Sequence, residues 1–267
     1  MDLELEIPSE EFAAQKLTSN TLRTALQTFN EQGALYIKKA FDPALISSLH
    51  QAYLDQFGSV DPAELVNHGL TVGERRYMLP VQITAAFNDP VVYANPLIGP
   101  ILLHLLGQLC VIDSFGVVTA LPGSATQHAH ADNPGLFDIE QFDYSIPTYA
   151  ITVAIPLIDL NLSTGSTHVL PGSHRKKPRQ LANGLSDMTG SITPYPSIGD
   201  CVMWDYRTVH SGEENRSDEI RPLLYIVYSR HWFSDLMNFK KVKPINMSSA
   251  EYAKVPSHLQ HLLSRSV

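Results

Sequence analysis

The sequence predicts a mainly β fold with helices: a jelly-roll (double-stranded β-helix, cupin-like) barrel buttressed by helices that are largely N-terminal. Two observations predict it. Up to about residue 108 apolar residues recur at helical spacing, and from about residue 109 the pattern changes to short β-rich runs. Those runs are separated by Pro-Gly, Asn, Asp and Ser turns. Helices first and strands after fit a barrel with helices packed against one sheet.

The elements follow in order. In SNTLRTALQTFNEQG, Leu22, Leu26 and Phe29 fall on one helix face, with Ser19 as N-cap and Gly33 as stop. ALYIKKA then reads as a short strand. Asp42-Pro43 opens a second helix to about Phe57, closed by Gly58, because Pro at the first helical position has its φ already set. PLIGPILLHLLGQ is a third helix. The expected strands are LCVIDSFGVVTAL, SATQHAH, YAITVAIPLI, GDCVMWDY and LLYIVYSR. All 267 residues are read as one domain, with a helical part over about 1–108 and a barrel core over about 109–235.

Composition narrows the function. Hydrophobic content of 44% is ordinary for a globular protein with a sizeable core. The net charge of -8 argues against a nucleic-acid partner, whose polyanion wants a basic stripe. No apolar run reaches the length of a membrane span. The acidic start, MDLELEIPSEE, fits neither a secretory signal nor a mitochondrial transit peptide. Cys110 and Cys201 sit in apolar runs and read as reduced, buried thiols. A cytoplasmic enzyme acting on a small molecule is expected.

The chemistry is carried by His130-Ala131-Asp132, His210 and Arg221. Two imidazoles and one carboxylate make a three-point face for a divalent metal and leave coordination positions open, the ligand pattern of non-heme Fe(II) oxygenases. On a strand, residues i and i+2 share a side, so His130 and Asp132 could serve one ion from a strand end. Arg221 begins the next apolar run, and a guanidinium grips a carboxylate bidentately. His128 shares the face of His130, either as a ligand in another register or as a wall of the pocket. The rival class is a non-catalytic cupin-like binding protein or a zinc hydrolase.

At these residues the chain resembles the phytanoyl-CoA dioxygenase family of Fe(II)/2-oxoglutarate oxygenases. The resemblance rests on NDPVVYANPLIGPILLHLLG, LPGSATQHAHADNPGLF, TGSTHVLPGSH, GDCVMWDYRTVHSGEENRSDEIRP and YSRHWFSDLMNF. It implies His130, Asp132 and His210 as iron ligands and Arg221 as the anchor for the distal carboxylate of 2-oxoglutarate. It implies reaction with O2, with succinate and CO2 as co-products and a small organic metabolite hydroxylated or otherwise oxidised. Family members often carry a hydroxyl two residues after the second His. Here that position is Gly212, preceded by Ser211, so Thr152 is taken as the hydroxyl partner of Arg221. Relatives that halogenate carry a small residue where Asp132 stands, so the carboxylate implies oxygenation.

Other features have milder readings. His168 and His174 flank a Leu-Pro-Gly-Ser turn and read as structural. The segment NPGLFDIEQFDYSIP, with Phe137, Phe142 and Tyr144, is either a lid or a loop packed on the barrel. Arg75, Arg76 and Tyr77 read as a solvated charged face rather than a contact for an anionic substrate. Trp232 and Phe233 read as core. Arg216 reads as a surface ion pair among acidic neighbours, and Arg207 as a brace for the loop before His210.

Overall fold

A computed structural model of the protein describes residues 3–133, 135–239 and 242–266. Met1 and Asp2 of the acidic start, and Pro134 of the segment after Asp132, lie outside the described residues. Among the described residues, five α-helices precede the long strands: α1 (Ser9–Ala14), α2 (Ser19–Gln32), α3 (Pro43–Phe57), α4 (Pro90–Tyr93) and α5 (Gly99–Leu106). Helix α2 is capped by Thr18, one residue before the expected Ser19, through a hydrogen bond from the Thr21 amide. Gly33 ends it at φ +74°, where a side chain would also overlap His174. Asp42 caps α3 as its sequence predicts.

Among the described residues, ten strands form two sheets. They are β1 (Glu4–Glu6), β2 (Ala34–Lys38), β3 (Leu70–Gly73), β4 (Arg76–Leu79), β5 (Val111–Ala120), β6 (Ala150–Pro156), β7 (Thr167–Val169), β8 (Cys201–Asp205), β9 (His210–Gly212) and β10 (Arg221–Ser229). The large sheet runs β1-β2-β8-β6-β10-β5-β4-β3, and β7 pairs with β9 in a small one. The fold is therefore mainly β with helices, as expected.

Strand alternation divides the large sheet into two faces. Ile151, Val153, Ile155, Met203, Leu224 and Ile226 pack with Phe29, Leu49 and Ile101 of the helices in the main core. The alternate residues Thr152, Ala154, Trp204, Leu223, Tyr225 and Val227 face a cavity that Thr167, His210 and Gly212 of the small sheet close from the other side. Both faces of the central strands are thus covered, so their sequences read as nearly unbroken apolar runs.

Two expectations need correction. Besides the expected strand β2, the first 108 residues contribute β1, β3 and β4, so that both edges of the large sheet come from them. Three of these strands are three or four residues long, too short to show an alternation. SATQHAH is not a regular strand. Its backbone meets the small sheet at separate points, Gln127 N on Gly212 O and a single His130–His210 bridge. Among the described residues no helix is long and apolar enough to cross a membrane.

Candidate metal centre

The His130–His210 bridge brings the two histidines together, and Asp132 follows in a bend. One ligand atom from each of His130, Asp132 and His210 lies within 4.8 Å of the others. The ring of His130 meets the His128 carbonyl through Nδ1 at 2.9 Å, and that of His210 meets the Thr208 carbonyl at 3.0 Å. A carbonyl only accepts, so each Nδ1 carries the proton and each Nε2 keeps its lone pair for a metal. Burial, reinforced by the neighbouring His210, holds the His130 pKa below the usual histidine value, which favours the neutral, metal-binding form. His128 acts through its backbone carbonyl, and its own ring is exposed.

Asp132 is held from three directions. Its Oδ2 accepts from Thr152 Oγ1 and from Trp204 Nε1, each at 3.0 Å. Its backbone carbonyl accepts from Asn238 Nδ2 at 3.1 Å. Thr152 therefore belongs to the carboxylate and not to Arg221, which corrects the sequence expectation. The reason is register: Thr152 of β6 sits directly opposite Trp204 of β8, and both donate to Asp132.

Arg221 opens β10 and is 4% exposed. Its Nη1 donates to the carbonyls of Thr164 at 2.9 Å and Glu213 at 3.2 Å. A second arginine faces the same cavity. Arg76 opens β4, is 0% exposed, and donates from Nη2 to the carbonyls of Ala125 and Glu213. Its Nε and Nη1 have no partner among the described residues. Both arginines lie opposite Ala120 of β5, one from each neighbouring strand, so their side chains share a face. Burial, with Arg221 alongside, pulls the Arg76 pKa down to about 9, and burial pulls that of Arg221 down to about 10. Buried N–H groups without acceptors are costly, so this end of the cavity fits an anionic ligand.

Arg76 also accounts for Gly212. A Cβ at that position would lie 2.1 Å from Arg76 Nη1 and 2.6 Å from Gln127 Oε1. The space that a hydroxyl-bearing residue would need is filled by a guanidinium. The sequence reading missed Arg76 because RRY after a glycine turn looks like surface charge. Arg75, one residue away, is in fact exposed.

The remaining residues fall as follows. Arg207 pairs with Asp205 at 2.8 Å inside the protein and donates to the carbonyls of Asp143 and Ile146, bracing the segment after Asp132. Within that segment the Asp143 carboxylate accepts the amides of Leu136, Phe137 and Ile139. Arg216 is an exposed partner of Glu214, as expected. His168 lies 3.4 Å from Glu213, and His174 is buried against the Asn30 carbonyl. Phe233 is core, but Trp232 is 58% exposed, because the chain leaves β10 in a turn there.

Comparison with known proteins gives the family. Residues 29–223 match the model of the family described as phytanoyl-CoA dioxygenase. The chain belongs to the phytanoyl-CoA dioxygenase family. It is 22% identical to dioxygenase FUM3 of Gibberella moniliformis over 96% of this chain and 87% of that one. It is likewise 22% identical to dioxygenase trt7 of Aspergillus terreus, over 90% and 87%. Among solved structures it is similar to HygX of Streptomyces hygroscopicus, with nickel, 2-oxoglutarate and hygromycin B bound (TM-score 0.61, 16% identity, 82% and 90% covered). It is also similar to SnoK, a non-heme α-ketoglutarate-dependent carbocyclase of nogalamycin biosynthesis (TM-score 0.58, 22% identity, 81% and 85% covered). These likenesses establish the jelly-roll fold. The protein is a 2-oxoglutarate-dependent, iron-dependent dioxygenase in class. The donor set and the two buried guanidinium groups fit both iron and a dicarboxylate.

Proposed function

We propose that the enzyme hydroxylates an uncharged, largely apolar small organic molecule, with iron held by His130, Asp132 and His210 and 2-oxoglutarate anchored by Arg221 and Arg76. The observation that carries this reading is the pairing of two features in one cavity. Three metal-type ligand atoms lie within 4.8 Å of one another, and two buried guanidinium groups without a carboxylate partner among the described residues line the same space. A keto acid with two carboxylates suits that pairing, one end at the metal and the other at the arginines. Iron, when bound, activates dioxygen and couples its reduction to oxidative decarboxylation of 2-oxoglutarate, giving succinate and CO2.

The protein's own contribution is position and dryness. Arg221 and Arg76 fix the distal carboxylate, and Gln127 and Thr167 line the same cavity. The Nδ1 hydrogen bonds of His130 and His210 hold both rings with Nε2 toward the ion. Apart from the two arginines and the candidate metal ligands, the described residues of the cavity wall carry no charged side chain, and Met78, Val118, Leu223, Val227 and Phe239 among them are apolar. That wall supports an apolar substrate and gives no purchase to the phosphates of an acyl-CoA. SnoK is named a carbocyclase, so this fold serves more than one oxidation outcome. Hydroxylation is the simplest outcome for the open, apolar side of this cavity.

The test is succinate release from 2-oxoglutarate by purified protein with Fe(II), with and without oxygen. Turnover that requires both iron and oxygen supports the proposal. Zinc-dependent, oxygen-independent hydrolysis, or no turnover with intact ligand binding, supports the rival readings.

A further inference from the structure

We infer that Thr152 and Trp204 are positioning residues that keep one oxygen of Asp132 off the metal, so that Asp132 serves as a one-oxygen ligand and a coordination position stays open. The inference rests on the metal centre proposed above. Oδ2 of Asp132 accepts two hydrogen bonds, from Thr152 Oγ1 and Trp204 Nε1, each at 3.0 Å. Oδ1 accepts none among the described residues and lies 3.6 Å from His210 Nε2, on the side of the metal ligands. The two oxygens of one carboxylate are therefore in different situations before any ion binds.

The arrangement is built by the sheet. Thr152 and Trp204 are a directly opposed cross-strand pair of β6 and β8, and such pairs project side by side from one face. Asp132 belongs to no strand, so nothing in its own backbone ladder fixes its side chain. The donors come from rigid central strands instead. The Trp204 ring also lies 4.9 Å from the His210 ring, so one residue contacts two of the three ligands. A buried indole N–H needs some acceptor, and a backbone carbonyl would satisfy it. Convergence of two donors on the same carboxylate oxygen does more: it resists the rotation that would bring both oxygens to the ion. A two-oxygen carboxylate would occupy one of the positions that a chelating keto acid needs.

Cobalt(II) is the probe, because its visible absorption reports coordination number. The wild-type protein, Thr152→Val, Thr152→Ser and Trp204→Phe are loaded with Co(II) and titrated with 2-oxoglutarate without oxygen. Thr152→Val and Trp204→Phe are each expected to change the Co(II) spectrum and to weaken 2-oxoglutarate binding to the Co(II) form by about 10-fold or more, the lower end of the range for groups that orient metal ligands. Thr152→Ser keeps the hydroxyl and should match the wild type in both. Wild-type spectrum and affinity in Thr152→Val and Trp204→Phe overturn the inference, as does a Thr152→Ser protein that behaves like Thr152→Val. If Trp204→Phe does not fold, the Thr152 pair decides. A wild-type protein that fails to bind Co(II) at all overturns the metal centre instead, which keeps the two failures distinct.

Discussion

Arg76 and Arg221 donate to the same acceptor, the backbone carbonyl of Glu213, at 2.5 and 3.2 Å. They reach it from the two strands that flank β5, each opposite Ala120. Neither makes an ion pair with a carboxylate among the described residues. Two like charges share a buried pocket with one carbonyl between them; burial lowers the pKa values of both, and the neighbouring Arg221 adds to the lowering at Arg76. An anion placed there would oppose both effects.

Arg221→Ala should raise the 2-oxoglutarate requirement about 30-fold or more, while iron affinity changes little. Truncating one partner of a buried charge-assisted pair costs on the order of 2–5 kcal/mol, and 1.4 kcal/mol is about tenfold in affinity. Arg76→Met should weaken the co-substrate in the same direction. Arg216→Ala should be silent, since Arg216 is exposed and held by Glu214. Titration of each variant with 2-oxoglutarate in the Co(II) form checks this. A larger defect from Arg216→Ala than from Arg221→Ala would reverse the assignment.

The same relationship separates stability from function. Arg76→Met removes a buried, partly unsatisfied charge, so the ligand-free variant should melt no lower than the wild type and is expected to melt higher. Wild-type protein should gain stability on binding 2-oxoglutarate, by mass action on the folded state. The gain should shrink in Arg76→Met. Thermal melts with and without ligand are sufficient. A ligand-free variant several degrees less stable would mean that Arg76 holds the fold through its carbonyl contacts rather than straining it.

Much of this was legible before the structure. Asp42-Pro43, Gly33 and the long strands β5, β6, β8 and β10 announce themselves by caps and unbroken apolar runs. His130, Asp132, His210 and Arg221 stand out because their residue types suit a metal and an anion. Arg76 did not, because burial of an arginine depends on which strand covers it, and β4 is four residues long. The sequence points to Thr152 but not to its partner. Its distance to Asp132 depends on the β6–β8 register, which no local pattern encodes.

Acid should destabilise the metal-free protein. Burial is the main cause holding the pKa values of His50, His130 and His174 below the ordinary value of 6.5. In the unfolded chain these groups take up protons near pH 6.5, while in the folded protein they do so only at lower pH. The unfolded state then binds more protons, so stability is intact above about 6.5 and falls as pH drops below it toward the folded values. The metal-free melting temperature should decline from pH 7 to 5.5. Imidazole proton signals of His130 and His174 should titrate with midpoints under 6.5. Midpoints above that value would contradict the burial argument.

Asp132 also bears on halogenation. With its carboxylate beside the two histidines, the wild-type enzyme should oxygenate its substrate and not halogenate it, even in molar chloride. The carboxylate fills the position a halide would need in its place, and its charge repels a second anion at the same ion. Thr152 and Trp204 both donate to that carboxylate and oppose its displacement. Mass spectrometry of wild-type products formed in high chloride, once a substrate is found, is the check. Asp132→Gly removes both the occupant and the charge, and its Co(II) spectrum should respond to chloride more than the wild-type spectrum does wherever His130 and His210 still retain the metal. A chlorinated product from the unmodified protein would overturn both the ligand assignment of Asp132 and the reaction class.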